Sequence, residues 1–259
     1  MKIPSNQMIK IFYLLILFQL PDLSKAAQNV ENIFNSANQN YKTGNFEFAA
    51  SEYEKLISQG YEGTSLFYNL GNSYYRLGKL GKAILNYEKA LKLSPGDEDV
   101  LHNLAFVNLK TVDKIETLPK FFLFQWWENL LGLFTVNGWS YFLLGLFLLI
   151  LTCVVVYFFI KKIEYQKAAF LTGLFLSLIF LFTASILTIN LNREMNWKFG
   201  IVMTTKLTAK TSPDYQSKDY FLIHEGLKVK IEDELQNWYK IKLPDGKIGW
   251  VIKGELEII

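Results

Sequence analysis

The chain has 259 residues, 51% of them hydrophobic, and its formal net charge at pH 7 is +3. So small a positive excess excludes the strongly basic surface with which proteins bind nucleic acid. The single cysteine, Cys153, excludes an intramolecular disulfide and a metal site built from cysteines. Two uncharged apolar runs, residues 130–160 and 168–192, hold much of the hydrophobic excess and indicate a membrane protein.

The N-terminus has the pattern of a secretory signal peptide. Lysines precede an apolar run at residues 11–20, and Ser24 and Ala26 supply the small residues of a cleavage site. The sequence therefore predicts a signal peptide at residues 1–26 that is cleaved after Ala26. An uncleaved anchor is the alternative, but the apolar run is too short to span a bilayer comfortably.

Residues 27–118 contain a motif with a period of 34 residues. Its clearest copy consists of Phe67, Leu70, Gly71, Tyr74, Ala83, Tyr87 and Pro95. Related residues stand one period earlier at Gly44, Ala49, Tyr53 and Glu54, and Asn69 recurs one period later as Asn103. The pattern resembles the tetratricopeptide repeat, which implies stacked antiparallel helix pairs with a concave peptide-binding groove. A third unit loses the pattern near Asp113, and we expect a half-repeat or cap there.

The period also predicts the lining of the groove, because the first helix of each pair faces inward in the resembled fold. Four groove columns result: Phe34, Tyr68 and His102; Asn35, Asn69 and Asn103; Asn38, Asn72 and Phe106; Lys42, Arg76 and Lys110. The asparagines offer donors and acceptors to the backbone of an extended peptide. The basic column offers cations to a carboxylate.

A purely structural role for these columns is the alternative. The asparagines would then bond only to neighbouring helices, and the cations near helix ends would interact with the helix macrodipole. The eukaryotic carboxylate-clamp variety of the fold has basic residues near the groove start, where this chain has Glu31 and Asp99. We therefore do not expect a clamp of that kind.

The membrane region begins with an aromatic segment at residues 119–136. Trp126, Trp127 and the single charge of Glu128 favour an interfacial helix lying among the lipid headgroups. The alternative is a simple extension of the first span.

Two transmembrane helices are predicted, at residues 137–160 and 168–192. The loop between them, residues 161–167, has three lysines, which places it in the cytoplasm by the positive-inside rule. Both large domains are then expected on the opposite, periplasmic side, as the signal peptide also predicts. The spans contain no charged residue, so nothing indicates an ion path.

Residues 199–259 change to the alternating pattern of short strands, which predicts a small all-β barrel. Trp238, Gly249 and Trp250, with the stretch from Leu207 to Pro213, resemble bacterial SH3-like domains. Trp250 is expected in the core, and Trp238 either at the core edge or as an SH3-like surface that carries a ligand. Ile252 and Glu255 replace the proline and tyrosine of polyproline binders, so that activity is not expected.

The order of these parts resembles the E component of the Bacteroides aerotolerance (Bat) system. The resemblance implies a multidomain inner-membrane protein encoded beside von Willebrand A-domain membrane proteins and a MoxR-type ATPase. It also implies a role in aerotolerance, oxidative stress or envelope stress. The expected partners are other membrane proteins, including von Willebrand A-domain proteins, and the lipid bilayer, with peptidoglycan as a partner of the SH3-like domain.

Nothing in the sequence indicates an enzyme. Its two histidines, His102 and His224, lie in different predicted domains without a companion at metal spacing. A phosphate-binding glycine loop is absent from the sequence, and no cofactor or metal is expected. The preferred reading is a membrane scaffold, and the alternative is a sensor or tether that binds the cell wall through the SH3-like domain. An accessory protein of a hydrolase is a third, disfavoured reading.

Overall fold

The computed structural model describes residues 23–115 and 121–259, with side chains from residue 27 onward. Most of the predicted signal peptide, and the residues around position 118, lie outside this description. The first five described helices are α1 Leu23–Lys42, α2 Phe46–Ser58, α3 Thr64–Arg76, α4 Leu80–Leu93 and α5 Glu98–Asn108. After them come α6 Phe122–Leu131, α7 Val136–Phe159 and α8 Ile163–Asn196.

Helices α1–α4 form two antiparallel pairs around one apolar core. Tyr53 and Tyr87, one period apart, are buried at the same position of the two pairs. A Cβ on Gly71 would lie 2.7 Å from the Tyr87 ring, so glycine lets α3 and α4 approach closely. Gly44 and Gly78 follow α1 and α3 with φ of +85° and +74°, the left-handed conformation that the sequence predicts for these helix ends.

The chain leaves the repeat array after α5. The Asp97 side chain caps α5 by accepting a hydrogen bond from the Val100 amide at 3.1 Å. The following segment does not fold back along α5, because Ile115 packs against the apolar core of the C-terminal sheet. The third repeat is therefore a single helix.

Helices α7 and α8 are long and apolar enough to cross a membrane. Only 6% and 11% of the residues in their most apolar stretches are buried, whereas a core helix of a soluble protein is mostly buried. α8 begins at Ile163, so most of the predicted loop at 161–167 is the first part of this helix.

Helix α6 lies against the end of this hairpin at which α7 begins and α8 ends. Glu128 accepts two hydrogen bonds from the Arg193 guanidinium, both at 2.8 Å, and Asn190 donates to the Leu131 carbonyl at 3.0 Å. These bonds fix α6 to α8, since a bidentate arginine pair specifies orientation as well as distance. The exposed aromatic side chains of α6 are Phe122, Phe124 and Trp126.

The C-terminal region is an antiparallel sheet of seven described strands. They are β1 Lys198–Val202, β2 Lys206–Lys210, β3 Asp219–His224, β4 Lys228–Leu235, β5 Trp238–Lys242, β6 Ile248–Ile252 and β7 Leu256–Ile258. The strand order is β3-β2-β6-β5-β4-β1-β7. β3 and β7 are not paired with each other, so the sheet is open and the predicted closed barrel is not confirmed.

Candidate functional site

The asparagines of the groove columns bond to one another and to buried tyrosines, and we call this arrangement the asparagine ladder. In its first rung, the Asn38 Oδ1 atom accepts a hydrogen bond from the Tyr53 hydroxyl at 2.6 Å and another from Asn69 Nδ2 at 3.0 Å. Asn38 lies on α1, Tyr53 on α2 and Asn69 on α3, so this rung joins both helices of one pair to the next pair.

The second rung repeats the first, one period later. The Asn72 Oδ1 atom accepts from the Tyr87 hydroxyl at 2.7 Å and from Asn103 Nδ2 at 2.9 Å. Asn103 also donates to the Tyr68 hydroxyl at 3.0 Å. The equivalent of Tyr68 in the first repeat is Phe34, which has no hydroxyl group, and Asn69 therefore makes one bond fewer than Asn103.

Each asparagine keeps part of its amide for another partner. Among the described residues, the Oδ1 atoms of Asn69 and Asn103 and the Nδ2 atoms of Asn38 and Asn72 make no hydrogen bond. All four side chains are half-buried. The ladder thus presents acceptors and donors in turn along the groove, which is the alternation that an extended peptide backbone offers.

The asparagine Oδ1 atom can only accept, and this fixes the direction of its bonds with the tyrosine hydroxyls. Burial raises the pKa of Tyr53 from its ordinary value of 10.0 to about 12 and raises the pKa of Tyr87 as well. Both hydroxyls therefore stay protonated at neutral pH and donate to the asparagine carbonyl oxygens. Asn38 and Asn72 are held with their Nδ2 atoms turned away from the tyrosines.

The cations of the basic column rest on aromatic rings. The Arg76 guanidinium lies 4.3 Å from the centre of the Phe46 ring, and the Lys110 ammonium lies 4.7 Å from that of Tyr75. Lys42 is exposed in the last turn of α1. These contacts hold two of the three cations at the groove without neutralising them, since a ring contact leaves the charge in place.

The remaining predicted groove residues are less enclosed. Asn35 and His102 are exposed, and Phe106 is 47% exposed. Phe34 is half-buried with its ring 5.8 Å from that of Tyr53. The structure thus brings the asparagine columns into one bonded network and leaves the outer residues as separate contacts.

Trp250 is placed differently from the sequence-based expectation, whereas Trp238 takes one of the two positions expected for it. Alternation along β6 points Gly249 and Val251 into the core, which leaves Trp250, expected in the core, only half-buried. Trp238 is 4% exposed, and its ring centre lies 5.1 Å from that of Tyr215. Trp238 is therefore at the core edge rather than on an open surface, because Tyr215 packs against it.

Sequence reasoning missed a junction between the repeats and the sheet, on α4 and the segment after α5. Glu88 of α4 pairs with Lys228 at 2.6 Å, and the Gly81 amide donates to Glu225 Oε1 at 2.8 Å. The Asp113 carboxylate accepts a hydrogen bond from the His224 backbone amide at 2.6 Å. It forms a second hydrogen bond, 2.9 Å long, with the Nδ1 atom of the His224 ring. No sequence signal identifies these pairs, since they are more than 100 residues apart.

The junction stands where a sixth repeat helix would pack. One period before Glu88, Glu54 of α2 accepts from the Tyr74 hydroxyl and has the Lys82 ammonium of α4 at 4.0 Å. Glu88 is paired instead with a cation from the sheet, Lys228. Ile201 of β1 also belongs to the buried core of the repeats. The sheet thus covers the end of the array that the missing helix would otherwise cover.

The described residues show no cluster of metal-binding side chains. Among residues 23–115 and 121–259, no group of three or more His, Cys, Asp or Glu side chains is placed to hold a metal ion. The polar groups that the structure concentrates in the groove are amides, tyrosine hydroxyls and cations, which bind ligands through hydrogen bonds and charge.

Comparison with known proteins gives one finding. The model of the TPR repeat family matches residues 71–112, which run from α3 to just beyond α5. No curated protein matches the chain. This part of the chain is thus similar to a repeat that mediates protein–protein interaction, and the helices before it continue the same period and packing.

Proposed function

We propose that this protein is a non-catalytic membrane scaffold whose groove binds an extended segment of a partner protein. The observation that carries the proposal is the asparagine ladder with its unused amide groups. Two rungs, one period apart, offer the same pairs of donor and acceptor, so a peptide backbone can bond at regular intervals. Arg76 and Lys42 at the side of the ladder favour a segment with acidic side chains.

The scaffold is anchored by α7 and α8 in the cytoplasmic membrane, with the repeats and the sheet on the periplasmic side. Two observations support this placement in the membrane: both apolar helices are exposed, and lysines stand at the turn between them. α6 lies at the headgroup level, with Phe122, Phe124 and Trp126 towards the lipid and Glu128 tied to Arg193. The groove would then be held at a fixed height above the bilayer.

Resemblance to the Bat system supplies the candidate partners. We propose that the groove binds von Willebrand A-domain membrane proteins within a Bat-type complex that serves aerotolerance or envelope stress. The C-terminal sheet, which we assign to the SH3-like class by its sequence motifs, supports the repeats through the junction with α4. This role does not need a free ligand surface at Trp238.

The test is affinity capture of the tagged full-length protein from gently solubilised native membranes, with quantitative mass spectrometry. Asn69→Ala with Arg76→Ala removes the least-bonded ladder amide and one groove cation. A matched control, Lys55→Ala with Gln59→Ala, removes a cation and an amide from exposed positions at the end of α2. We expect the groove variant to lose its membrane-protein partners and the control to keep them. Equal recovery in all three samples would remove the groove from the account.

A further inference from the structure

One side of α5 is apolar and uncovered. Leu101, Leu109 and Val112 are exposed by 44%, 73% and 68%, and Ala105 between them is exposed too. These four residues, which we call the open face, follow each other at spacings of four, four and three. Leu101, Ala105 and Leu109 therefore lie on the same side of the helix and of its C-terminal turn, and Val112 lies in the bend just beyond them.

The first two of these positions, those of Leu101 and Ala105, are buried in the preceding repeat. Phe67, one period before Leu101, is 5% exposed, and Gly71, one period before Ala105, lies against the Tyr87 ring of α4. The third repeat has no such second helix, because the chain turns away to the sheet at Asp113 and Ile115. The open face thus has the side chains of a helix contact without a helix against it.

The open face is self-complementary. Leu101 and Leu109 stand at equal distances on either side of Ala105, and a second α5 laid antiparallel would place each leucine opposite the other and Ala105 opposite itself. The small side chain at the centre lets two helices approach closely. An isologous contact needs this symmetry, since both copies use the same surface.

The charges at the two ends of α5 have the same complementarity. Glu98 lies in its first turn, three residues before Leu101 on the side of the open face, and forms no ion pair among the described residues. Lys114 follows its last turn and is held there by a hydrogen bond to the Asn108 carbonyl at 2.7 Å, whereas Lys110 is held on the groove side by the Tyr75 hydroxyl. In an antiparallel pair the acidic end of one copy lies beside the basic end of the other, which favours this orientation over the parallel one.

We propose that the open face binds a second copy of this chain, α5 against α5, with the two-fold axis passing beside Ala105. His102 borders the open face and belongs to a groove column, so the two grooves of the dimer lie next to each other. A partner with two binding segments would then engage both grooves, and the second contact would form at a high effective concentration. This dimer does not depend on what the groove binds.

Disulfide trapping in membranes tests both the contact and its register. With Cys153→Ser as background, Ala105→Cys should form a disulfide-linked dimer under mild oxidation, because the two-fold axis brings the two thiols together. Leu101→Cys alone should not, since its neighbour is Leu109 of the other copy, whereas a mixture of Leu101→Cys and Leu109→Cys chains should. Phe48→Cys, at an exposed position on α2, is the matched control and should stay monomeric.

Leu109→Asp provides a second measurement. The side chain is exposed in the single chain, so the variant should fold with unchanged helicity, yet it should lose the Ala105→Cys disulfide and the dimer mass in detergent. Monomers throughout, or trapping at Phe48→Cys as readily as at Ala105→Cys, would overturn the proposal. So would an Ala105→Cys adduct with a different protein, which would show that a partner helix covers the open face.

Discussion

The two sides of the repeat array use polar groups in opposite ways. At the junction with the sheet, Glu88 is paired with Lys228, and Asp113 accepts two bonds from His224. In the groove, each asparagine of the ladder has used only part of its amide. Fully satisfied polar groups fix an arrangement, whereas partly satisfied groups in an open groove are ready to bind. The comparison separates the surface that builds the protein from the one that recognises a partner.

Alkaline pH should destabilise the protein through the tyrosines of the ladder. Because burial raises the pKa of Tyr53 to about 12 and also that of Tyr87, the unfolded chain loses these protons at lower pH than the folded protein. Their contribution to stability is complete below pH 10 and falls by about 1.4 kcal/mol per pH unit for each tyrosine as pH rises from 10 towards 12. Unfolding free energies measured across this range check the slope.

The matched variants for this measurement are conservative. Tyr53→Phe with Tyr87→Phe removes both ladder tyrosines and should make the decline of stability above pH 10 shallower, leaving the share of Tyr74, whose pKa burial also raises. Tyr61→Phe removes a tyrosine that is 40% exposed and should leave the slope as it is. An equal slope in the double variant would assign the alkaline instability to other groups.

Removal of a junction contact should cause the second-largest loss of unfolding free energy. Asp113→Ala leaves the His224 amide and ring without their acceptor at a site where both side chains are mostly buried, and we expect a loss of about 2 kcal/mol in unfolding free energy. Thermal or denaturant unfolding of the full-length protein measures it. Asp99→Ala, at an exposed position of α5, should change stability far less. Similar losses in the two variants would mean that the junction does not stabilise the array.

A single ladder bond should have a smaller effect on stability. Tyr87→Phe removes the donor to Asn72, whose Oδ1 atom still accepts from Asn103, so the expected loss is about 1 kcal/mol. Binding should weaken as well, because one hydrogen bond instead of two then orients the Asn72 amide. A variant with wild-type binding would show that the orientation of Asn72 does not matter for the partner.

The smallest stability effect is expected at the groove cations. Arg76→Ala removes a cation that rests on the Phe46 ring, and its expected cost is about 0.5 kcal/mol. Partner capture should nevertheless fall, and addition of salt should reduce the difference from wild type. A large stability loss with unchanged capture would show that Arg76 stabilises the fold and does not bind the partner.

The sequence predicts the groove better than the junction for a physical reason. The groove columns repeat every 34 residues, so local spacing alone relates Asn69 to Asn103 and Tyr53 to Tyr87. It does not reveal that the tyrosine hydroxyls orient the asparagines, since this depends on how α2 and α4 pack. Contacts such as Asp113 with His224 join separate domains, and a single sequence has no periodicity that relates them.

Contacts between distant segments also limit what the sequence predicts for the β-region. Its alternating pattern predicts the strands, but whether the sheet closes depends on pairing between β3 and β7, which the pattern does not determine. Residue type alone does not determine the burial of Trp250 and Trp238, because the register of β6 and the position of Tyr215 decide it. Apolar length, in contrast, is enough to find α7 and α8.

Site-specific photo-crosslinking in native membranes tests the central claim most directly. A photoreactive side chain at Lys42, in the groove, is compared with one at Lys55, an exposed position on α2. The account predicts adducts with the same membrane protein from Lys42 but not from Lys55, and their loss when Asn69→Ala and Arg76→Ala are added. Adducts of equal yield from both positions, or adducts from Lys42 that persist in the groove variant, would contradict recognition by the asparagine ladder.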